Sequence, residues 1–210
     1  MLKKFIATLA LGISAAFADP GPAEDLQQRL SGYESARAEF SQFALSSDGD
    51  RAEESSGYFY VARPDRFRWV TEQPFVQEIV SDGQSIWIHD PDLEQVTRRP
   101  ADAQGNSAPA LILNGQISAL EQQFSIIRID DNDPSVALFE LQPLSPENST
   151  FARIRLLFEQ DRLTELSMED SLGQRSMLVL HDLEYNPELP RDAFKFTPPE
   201  GTDLIEDPGF

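Results

Sequence analysis

The sequence contains no cysteine, which excludes disulfide bonds and zinc–thiolate sites. Basic residues are few, because 17 lysines and arginines face 36 aspartates and glutamates, for a formal net charge of −19. This balance argues against nucleic acid as a partner, since its binders need a basic face. It also argues against anionic membrane surfaces, which attract basic clusters. After the N-terminus no apolar run is long enough to span a bilayer, so no stable membrane insertion is expected.

Motifs for catalysis and metal binding are also scarce. The two histidines, His89 and His181, do not stand in a metal-binding spacing, and neither a G-x-S-x-G elbow nor a P-loop is present. The acidic run at 130–133 lacks the glycine that a calcium loop needs at its sixth place, so it predicts an acidic turn. The sequence therefore predicts no enzyme, no catalytic residue, no metal and no cofactor.

The N-terminus has the composition of a secretory signal peptide. Lys3 and Lys4 precede a short apolar core, which ends in Ala16-Phe17-Ala18. We predict cleavage after Ala18, with Ala16 as the alternative. A membrane anchor is the other interpretation, but the apolar run is too short to span a bilayer. Residues 1–18 are then the signal peptide, and 19–210 form a single domain.

The stretch from Gly57 to Asp90 predicts a four-stranded antiparallel meander, with a hairpin at Ser81-Asp82-Gly83-Gln84. Strand side chains alternate between two faces. One face of the meander collects large apolar side chains, namely Phe59, Val61, Phe67 and Trp69. The same alternation places Arg63 on this face, where a charge is costly unless it finds acceptors.

Further alternating segments bring the number of strands to about eleven and predict one strongly curved antiparallel sheet. Apolar side chains share one face in two of these segments: Ile154, Leu156 and Phe158 in 151–159, and Leu166 and Met168 in 162–169. A last short strand is predicted at 194–197, before Pro198 and Pro199.

Short helices are predicted at 23–31, 108–113 and 117–123. The helix at 108–113 is apolar on every side and contains Leu111, Ile112 and Leu113, so we expect it to cover the apolar face of the sheet. The last carbonyls of a short helix have no partner within the helix. We therefore expect the carbonyls of this helix to accept hydrogen bonds from Arg63.

Three runs of the sequence resemble the LolA family of periplasmic outer-membrane lipoprotein carriers, in a likeness that extends from about Leu26 to Gly201. They are G-Y-F-Y-V-A-R-P-D-R-F-R-W, I-V-S-D-G-Q-S-I-W-I-H-D-P-D-L-E-Q-V and F-K-F-T-P-P-E-G. The resemblance implies a mainly β fold, an unclosed antiparallel β-barrel with a lid of short α-helices. It further implies that Arg63 latches the lid and that Phe67 lies at the mouth of a cavity for lipoprotein acyl chains. We predict that the apolar side chains named above line this cavity: Phe59, Val61, Phe67, Trp69, Ile154, Leu156, Phe158, Leu166 and Met168.

The resemblance also implies a location and partners. A LolA-like protein acts in the periplasm of a Gram-negative bacterium, after its signal peptide is removed. It receives lipoproteins from an inner-membrane lipoprotein-releasing ABC transporter and delivers them to an outer-membrane receptor of the LolB type. The lack of a cysteine for lipid attachment distinguishes this chain from the lipid-anchored LolB receptors of the same fold.

Three other interpretations remain open at this point. A periplasmic lipid-sensing regulator of the same fold would usually carry a second domain. A secreted β-sandwich hydrolase would need a cluster of polar residues in the cavity, and the predicted inner face offers only Arg63. A purely structural β-sandwich would have a filled core and bind no fatty acid.

Overall fold

The computed structural model describes residues 21–45, 52–101, 108–129 and 131–208. The helices are α1 (Pro22–Ser31), α2 (Ala108–Leu113) and α3 (Ile117–Glu121). The strands are β1 (Ser35–Leu45), β2 (Ala52–Ala62), β3 (Arg66–Gln73), β4 (Gln77–Asp82), β5 (Ser85–Asp90), β6 (Gln95–Pro100), β7 (Phe124–Ile129), β8 (Val136–Pro143), β9 (Phe151–Glu159), β10 (Arg162–Asp170), β11 (Arg175–Tyr185) and β12 (Asp203–Glu206).

All twelve strands form one sheet, in the order β12-β6-β5-β4-β3-β2-β1-β11-β10-β9-β8-β7. Neighbouring strands are antiparallel, except that β12 runs parallel to β6. Within the described ranges the edge strands β7 and β12 do not pair with each other, so the curved sheet is an unclosed barrel. The predicted fold class is thereby confirmed.

Local sequence explains the first elements of the chain. Pro22 opens α1, and Leu26 and Leu30 lie one turn apart on its buried stripe. In β1 the alternate residues Ala38 and Phe40 are buried, as the strand period predicts. The helix and this strand therefore turn their apolar sides to the same core.

Gly57 allows a close approach within the meander. It lies opposite Phe40, beside an irregularity in the pairing of β2 with β3, and a Cβ atom at this position would stand 1.9 Å from the Val70 carbonyl oxygen. Because Gly57 has no side chain, the rings of Phe40 and Trp69 meet across β2 with their centroids 4.2 Å apart. Irregular pairing bends a strand, which fits the strong curvature here.

The final predicted strand is wrong. Residues 194–197 are irregular, and the last strand is β12, further along the chain. The reason is that the carbonyls of Ala193 and Lys195 accept hydrogen bonds from the Arg68 guanidinium, at 2.6 Å and 2.7 Å, instead of entering a strand ladder. We call residues 187–202 the strap, because they cross the convex face of the sheet.

The predicted signal peptide, residues 1–18, lies outside the described residues, as does Asp130. In the part of the chain that is described, no helix is long and apolar enough to cross a membrane.

Candidate functional site

The concave face of the sheet carries the predicted cavity residues. Phe59, Val61, Ile154, Leu156, Phe158 and Leu166 are buried in one hydrophobic cluster, and Phe67, Trp69 and Met168 are partly buried against it. Cross-strand pairing explains the shared face, since Phe59 faces Trp69 on β3 and Leu156 faces Leu166 on β10. The alternation pattern therefore placed these side chains on the correct side of the sheet.

The three helices form a lid over this face. Leu111 and Ile112 of α2 are fully buried, whereas Leu113 is half-buried, and α3 adds Ile117 and Leu120. The enclosed space beneath α1 and α2, between Leu30, Leu113 and the sheet, measures only about 10 Å³. This is room for about one water molecule, while small-molecule sites span roughly 300–1,000 Å³. A ligand of that size can enter this region only if the helices above it move.

Arg63 lies where the lid meets the sheet. Its Nη2 donates a hydrogen bond to the carbonyl of Leu30, in the last turn of α1. We expected an acceptor in α2, so the identity of the acceptor is a correction. The difference arises because α1 ends directly beside the turn between β2 and β3, where its free carbonyls face the guanidinium. The Nε of Arg63 is buried and has no hydrogen-bond partner.

Tyr33 connects Arg63 to α2. The guanidinium carbon of Arg63 lies 4.2 Å from the centre of the Tyr33 ring, and the Tyr33 hydroxyl donates to the carbonyl of Leu113 at 2.9 Å. Burial raises the pKa of the Tyr33 phenol above its ordinary value of 10.0, although the neighbouring Arg63 partly opposes this effect. The hydroxyl therefore stays protonated and able to donate near neutral pH.

Gly115 completes this contact, just after α2. It adopts a positive φ of 65°, and a Cβ atom here would stand 2.4 Å from Nη2 of Arg63. Only a residue without a side chain lets the guanidinium lie this close to the backbone. We name Arg63, Tyr33 and Gly115, with the carbonyls of Leu30 and Leu113, the latch. The sequence pattern singles out Arg63, whereas Tyr33 and Gly115 carry no local signal that would bring them to this contact.

Ion pairs fix the other side of α1. Asp25 accepts hydrogen bonds from Arg29 at 2.9 Å and from Arg128 of β7, and Arg29 also pairs with Asp161 at 2.6 Å. The Arg29 guanidinium lies over the rings of Phe139 and Phe158, 5.9 Å and 5.7 Å from their centres. In contrast, the polar contact seen between α2 and the body of the protein is the one from Tyr33.

The concave face continues beyond the lid. A row of cross-strand neighbours runs from Trp69 through Ile79 and Ile88 to Thr97, and all four are half-buried. Ile79 and Ile88 were not among the predicted residues, although the alternation of Ile86 and Ile88 around Trp87 indicates a shared face.

The next row of this surface corrects another expectation. Phe67, Ser81, Ile86 and Arg99 are successive cross-strand neighbours. The inner face therefore carries Arg99 as well as Arg63.

Met168 lies apart from the residues that the lid covers. It packs against the edge of the hydrophobic cluster and, with Phe151 and Ala44, lines a cleft of about 370 Å³ where β1, β9 and β10 reach the opposite end of the sheet. The sequence pattern gave its face correctly but not its position along the barrel.

The polar residues weighed for chemistry do not converge on the concave face. His89 contacts the strap, with its ring 5.6 Å from that of Phe196, and His181 is exposed beside Ser41. Asp133 accepts hydrogen bonds from Ser135 within its own turn. Among the described residues, no group of three or more histidines and carboxylates could hold a metal ion.

Together, the fold and the site define a class of protein: an unclosed β-barrel whose apolar concave face is closed by a latched helical lid. The comparison with protein families gives this class a name. Residues 31–197 match the family described as "Outer membrane lipoprotein carrier protein LolA". The chain belongs to this family, whose members are carriers and not enzymes.

Curated relatives agree with this assignment. An outer-membrane lipoprotein carrier protein of Chromohalobacter salexigens is 39% identical over 203 residues, which cover 97% of this chain and 95% of that protein. A protein of the same name from Pseudomonas aeruginosa is 36% identical over 207 residues, which cover 97% of both chains. The likeness thus extends over nearly the whole sequence.

Solved structures show the same fold at low identity. An uncharacterized conserved protein from Thermus thermophilus has a TM-score of 0.58 at 13% identity, and the alignment covers 89% of this chain and 100% of that one. MucB has a TM-score of 0.52 at 14% identity, and the alignment covers 87% of this chain and 65% of MucB. These two likenesses concern the fold alone.

Proposed function

We propose that this protein carries lipoproteins through the periplasm by binding their acyl chains on the concave face of the sheet. The observation that carries the proposal is the latch, which closes a lid over a hydrophobic surface by hydrogen bonds to two backbone carbonyls. Membership of the carrier family supports the same function.

The energetics explain why a carrier needs a latch. Burying one methylene group is worth about 0.8 kcal/mol, so one long acyl chain gains on the order of 10 kcal/mol. A cavity that offered this whole gain would release its cargo too slowly. The latch bond from the charged Arg63 contributes about 1.5–3 kcal/mol, and the bond from the neutral Tyr33 hydroxyl contributes about 0.5–1.5 kcal/mol. Because the closed lid makes these bonds and the loaded lid gives them up, the latch weakens cargo binding and favours transfer.

The proposed roles follow from this scheme. Arg63 holds the closed lid, Phe67 lies at the mouth, and Leu111, Ile112 and Leu113 form the cover. The cavity wall consists of Phe59, Val61, Trp69, Ile154, Leu156, Phe158, Leu166 and Met168, to which we add Ile79 and Ile88.

The proposed partners are those of the family. A lipoprotein-releasing ABC transporter of the inner membrane loads the carrier, and a LolB-like receptor at the outer membrane accepts the cargo. For the chain to reach the periplasm, we propose that residues 1–18 are removed as a signal peptide. The intact mass of the protein from a periplasmic fraction measures this, and a mass that retains residues 1–18 would contradict it.

The first experiment is native mass spectrometry of the protein mixed with a triacylated lipoprotein. We expect a one-to-one complex, and we expect Arg63→Leu to form it and release it more slowly to a LolB-like receptor. Arg66→Leu is a matched control, since Arg66 is exposed and lies over Phe194 of the strap. If neither protein binds lipoprotein, the carrier function is wrong. If Arg63→Leu transfers its cargo as fast as wild type, the role of the latch is wrong.

A further inference from the structure

Arg99 projects from β6 onto the concave face, four strands away from β2. Its cross-strand neighbour on β5 is Ile86, which is 2% exposed, and the same row continues through Ser81 to Phe67. Directly opposed residues of antiparallel strands point to the same face. Arg99 is therefore a cation on the same apolar surface as Phe67, at the side away from the latch.

Arg99 lacks an acceptor. It is half-buried, and its Nε is buried without a hydrogen-bond partner. The other partly buried arginines of the described chain each donate to a protein oxygen: Arg29, Arg63, Arg68, Arg98 and Arg153. The chain has 36 acidic residues that could pair with an arginine. None of the described residues provides such a partner for Arg99.

An unpaired cation on an apolar surface costs free energy of folding. Such a cost is expected where the group serves a ligand, because buried donors without partners are rare in proteins. The adjacent surface indicates the kind of ligand. Ile86 and the half-buried residues Ile79 and Ile88 form an apolar track that leads to the guanidinium.

We propose that Arg99 binds the oxygen atoms at the polar head of a cargo acyl chain, while the chain itself lies on the concave face. The ligand class is an acyl oxygen, either the carbonyl of an ester or amide or the carboxylate of a free fatty acid. A guanidinium offers five donors in a planar fork and suits both acceptors. The proposal rests on the proposed carrier function and adds a second contact point, which fixes the head of the chain.

Tryptophan fluorescence gives a direct binding assay. The chain has two tryptophans, and Trp69 lies on the concave face while Trp87 lies on the convex face beside Phe196. In a Trp87→Phe background, the emission of Trp69 therefore reports ligand binding alone. The probes are sodium palmitate, methyl palmitate and hexadecane, which supply a carboxylate, a neutral ester carbonyl and no oxygen.

For Arg99→Met we expect at least a tenfold weaker affinity for palmitate, because a charge-assisted hydrogen bond is lost. A smaller loss is expected for methyl palmitate, and none for hexadecane. Arg99→Lys, which keeps the charge but not the fork, should retain part of the affinity for palmitate. If the loss is larger for the ester than for the carboxylate, Arg99 recognises the ester linkage of a lipidated protein and not a free acid.

Two controls separate this role from a structural one. Arg191→Met removes an exposed arginine of the strap and should leave all three affinities unchanged. The melting temperature of Arg99→Met should equal or exceed that of the parent, since an unpaired charge is removed, whereas a structural arginine would lower it on removal.

The proposal would be overturned if the parent and Arg99→Met bound palmitate and its ester with equal affinity. In that case, binding of hexadecane to both proteins would still support the carrier function. Failure of all three probes to bind the parent protein would instead contradict the carrier function itself.

Discussion

Both faces of the sheet are covered, but the lid on the concave face and the strap on the convex face are held in different ways. In the strap, Arg68 donates to the carbonyls of Ala193 and Lys195 and is neutralised by an ion pair with Glu78. In the lid, Arg63 donates to the carbonyl of Leu30, and the described residues offer it no carboxylate.

The strap is also held by aromatic contacts. The ring of Phe196 in the strap lies 5.7 Å from that of Trp87 and 5.6 Å from that of His89. The small residue Ala193 of the strap is also buried, with 4% of its surface exposed. The strap is therefore fixed by charge, by several carbonyl bonds and by packed rings together. The part of a cover that has to open, here α2 with its contact from Tyr33, can have few polar contacts, and a cover that stays closed can have many.

Removal of Arg68 should have the largest effect. Arg68→Met leaves Glu78 without its counter-ion and two strap carbonyls without their donor, and breaking a buried ion pair in this way costs about 3–5 kcal/mol at full burial. Because this pair is partly exposed, we expect the free energy of unfolding to fall by about 2–4 kcal/mol. Urea denaturation measures this fall.

The paired variant is Arg63→Leu, for which we expect a loss of free energy of unfolding of about 1.5 kcal/mol, at the low end for a charged donor, because a single carbonyl bond is removed together with a buried Nε that has no partner. A loss for Arg68→Met no greater than that for Arg63→Leu would show that the strap and the lid are held with equal strength.

The Tyr33 hydroxyl allows a finer test of the lid. Tyr33→Phe removes the bond to the Leu113 carbonyl but keeps the ring, which stacks on Tyr185 at 4.7 Å. We expect the free energy that keeps α2 and α3 closed to fall by about 1 kcal/mol. Amide hydrogen exchange should accelerate in α2 and α3, whereas α1 and the strap should exchange as before.

Tyr60→Phe on the convex side is the matched control and should leave the exchange of the lid unchanged. If α1 accelerates together with α2 in Tyr33→Phe, the lid opens as one unit, and the ion pairs of Asp25 and Arg29 do not hold α1 in place.

The sequence predicted the sheet and the lid helices better than the strap, for a physical reason. Alternation is a property of neighbouring residues, so Phe59, Trp69 and Leu156 could be placed on the correct face without knowledge of the fold. The strap could not be predicted in this way. Residues 194–197 show the pattern of a strand, and only the distant Arg68 shows why no ladder forms there.

The candidate site shows the same difference between local signals and contacts that depend on the fold. Arg63 could be singled out from the local sequence, because the strand alternation places its charged side chain on the apolar face. Its acceptor in α1 and the contribution of Gly115 depend on how the helices cross the sheet. Arg99 was missed because its face depends on the register between β5 and β6, which no short stretch of sequence fixes.

Acidic pH should have the smallest effect on stability. It should act on the convex face and leave α2 on the concave face unchanged. On the convex side of β8–β10, Arg153 pairs with Glu169 at 2.6 Å and Arg155 with Glu140 at 2.7 Å. The hydrogen bond from Arg153 holds the pKa of Glu169 below its usual value. Burial would raise the pKa of Glu140, but hydrogen bonds from Gln142 and Arg155 outweigh it, so this pKa is also lowered.

Because these pKa values are lower in the folded state, the two carboxylates stabilise the protein above the pKa of the unfolded chain. Their contribution is lost as the pH falls through the folded pKa values, since the unfolded chain then binds more protons.

The latch does not titrate in this range, because the pKa of Tyr33 lies above 10.0 and arginine stays charged. We therefore expect a small decrease in the urea midpoint as the pH falls from about 5 to about 3. Glu140→Gln should reduce this decrease, while hydrogen exchange of α2, corrected for the intrinsic pH dependence, should stay unchanged. An α2 that loses its protection at the lower pH would mean that a carboxylate also holds α2 closed, contrary to the latch contacts described for it.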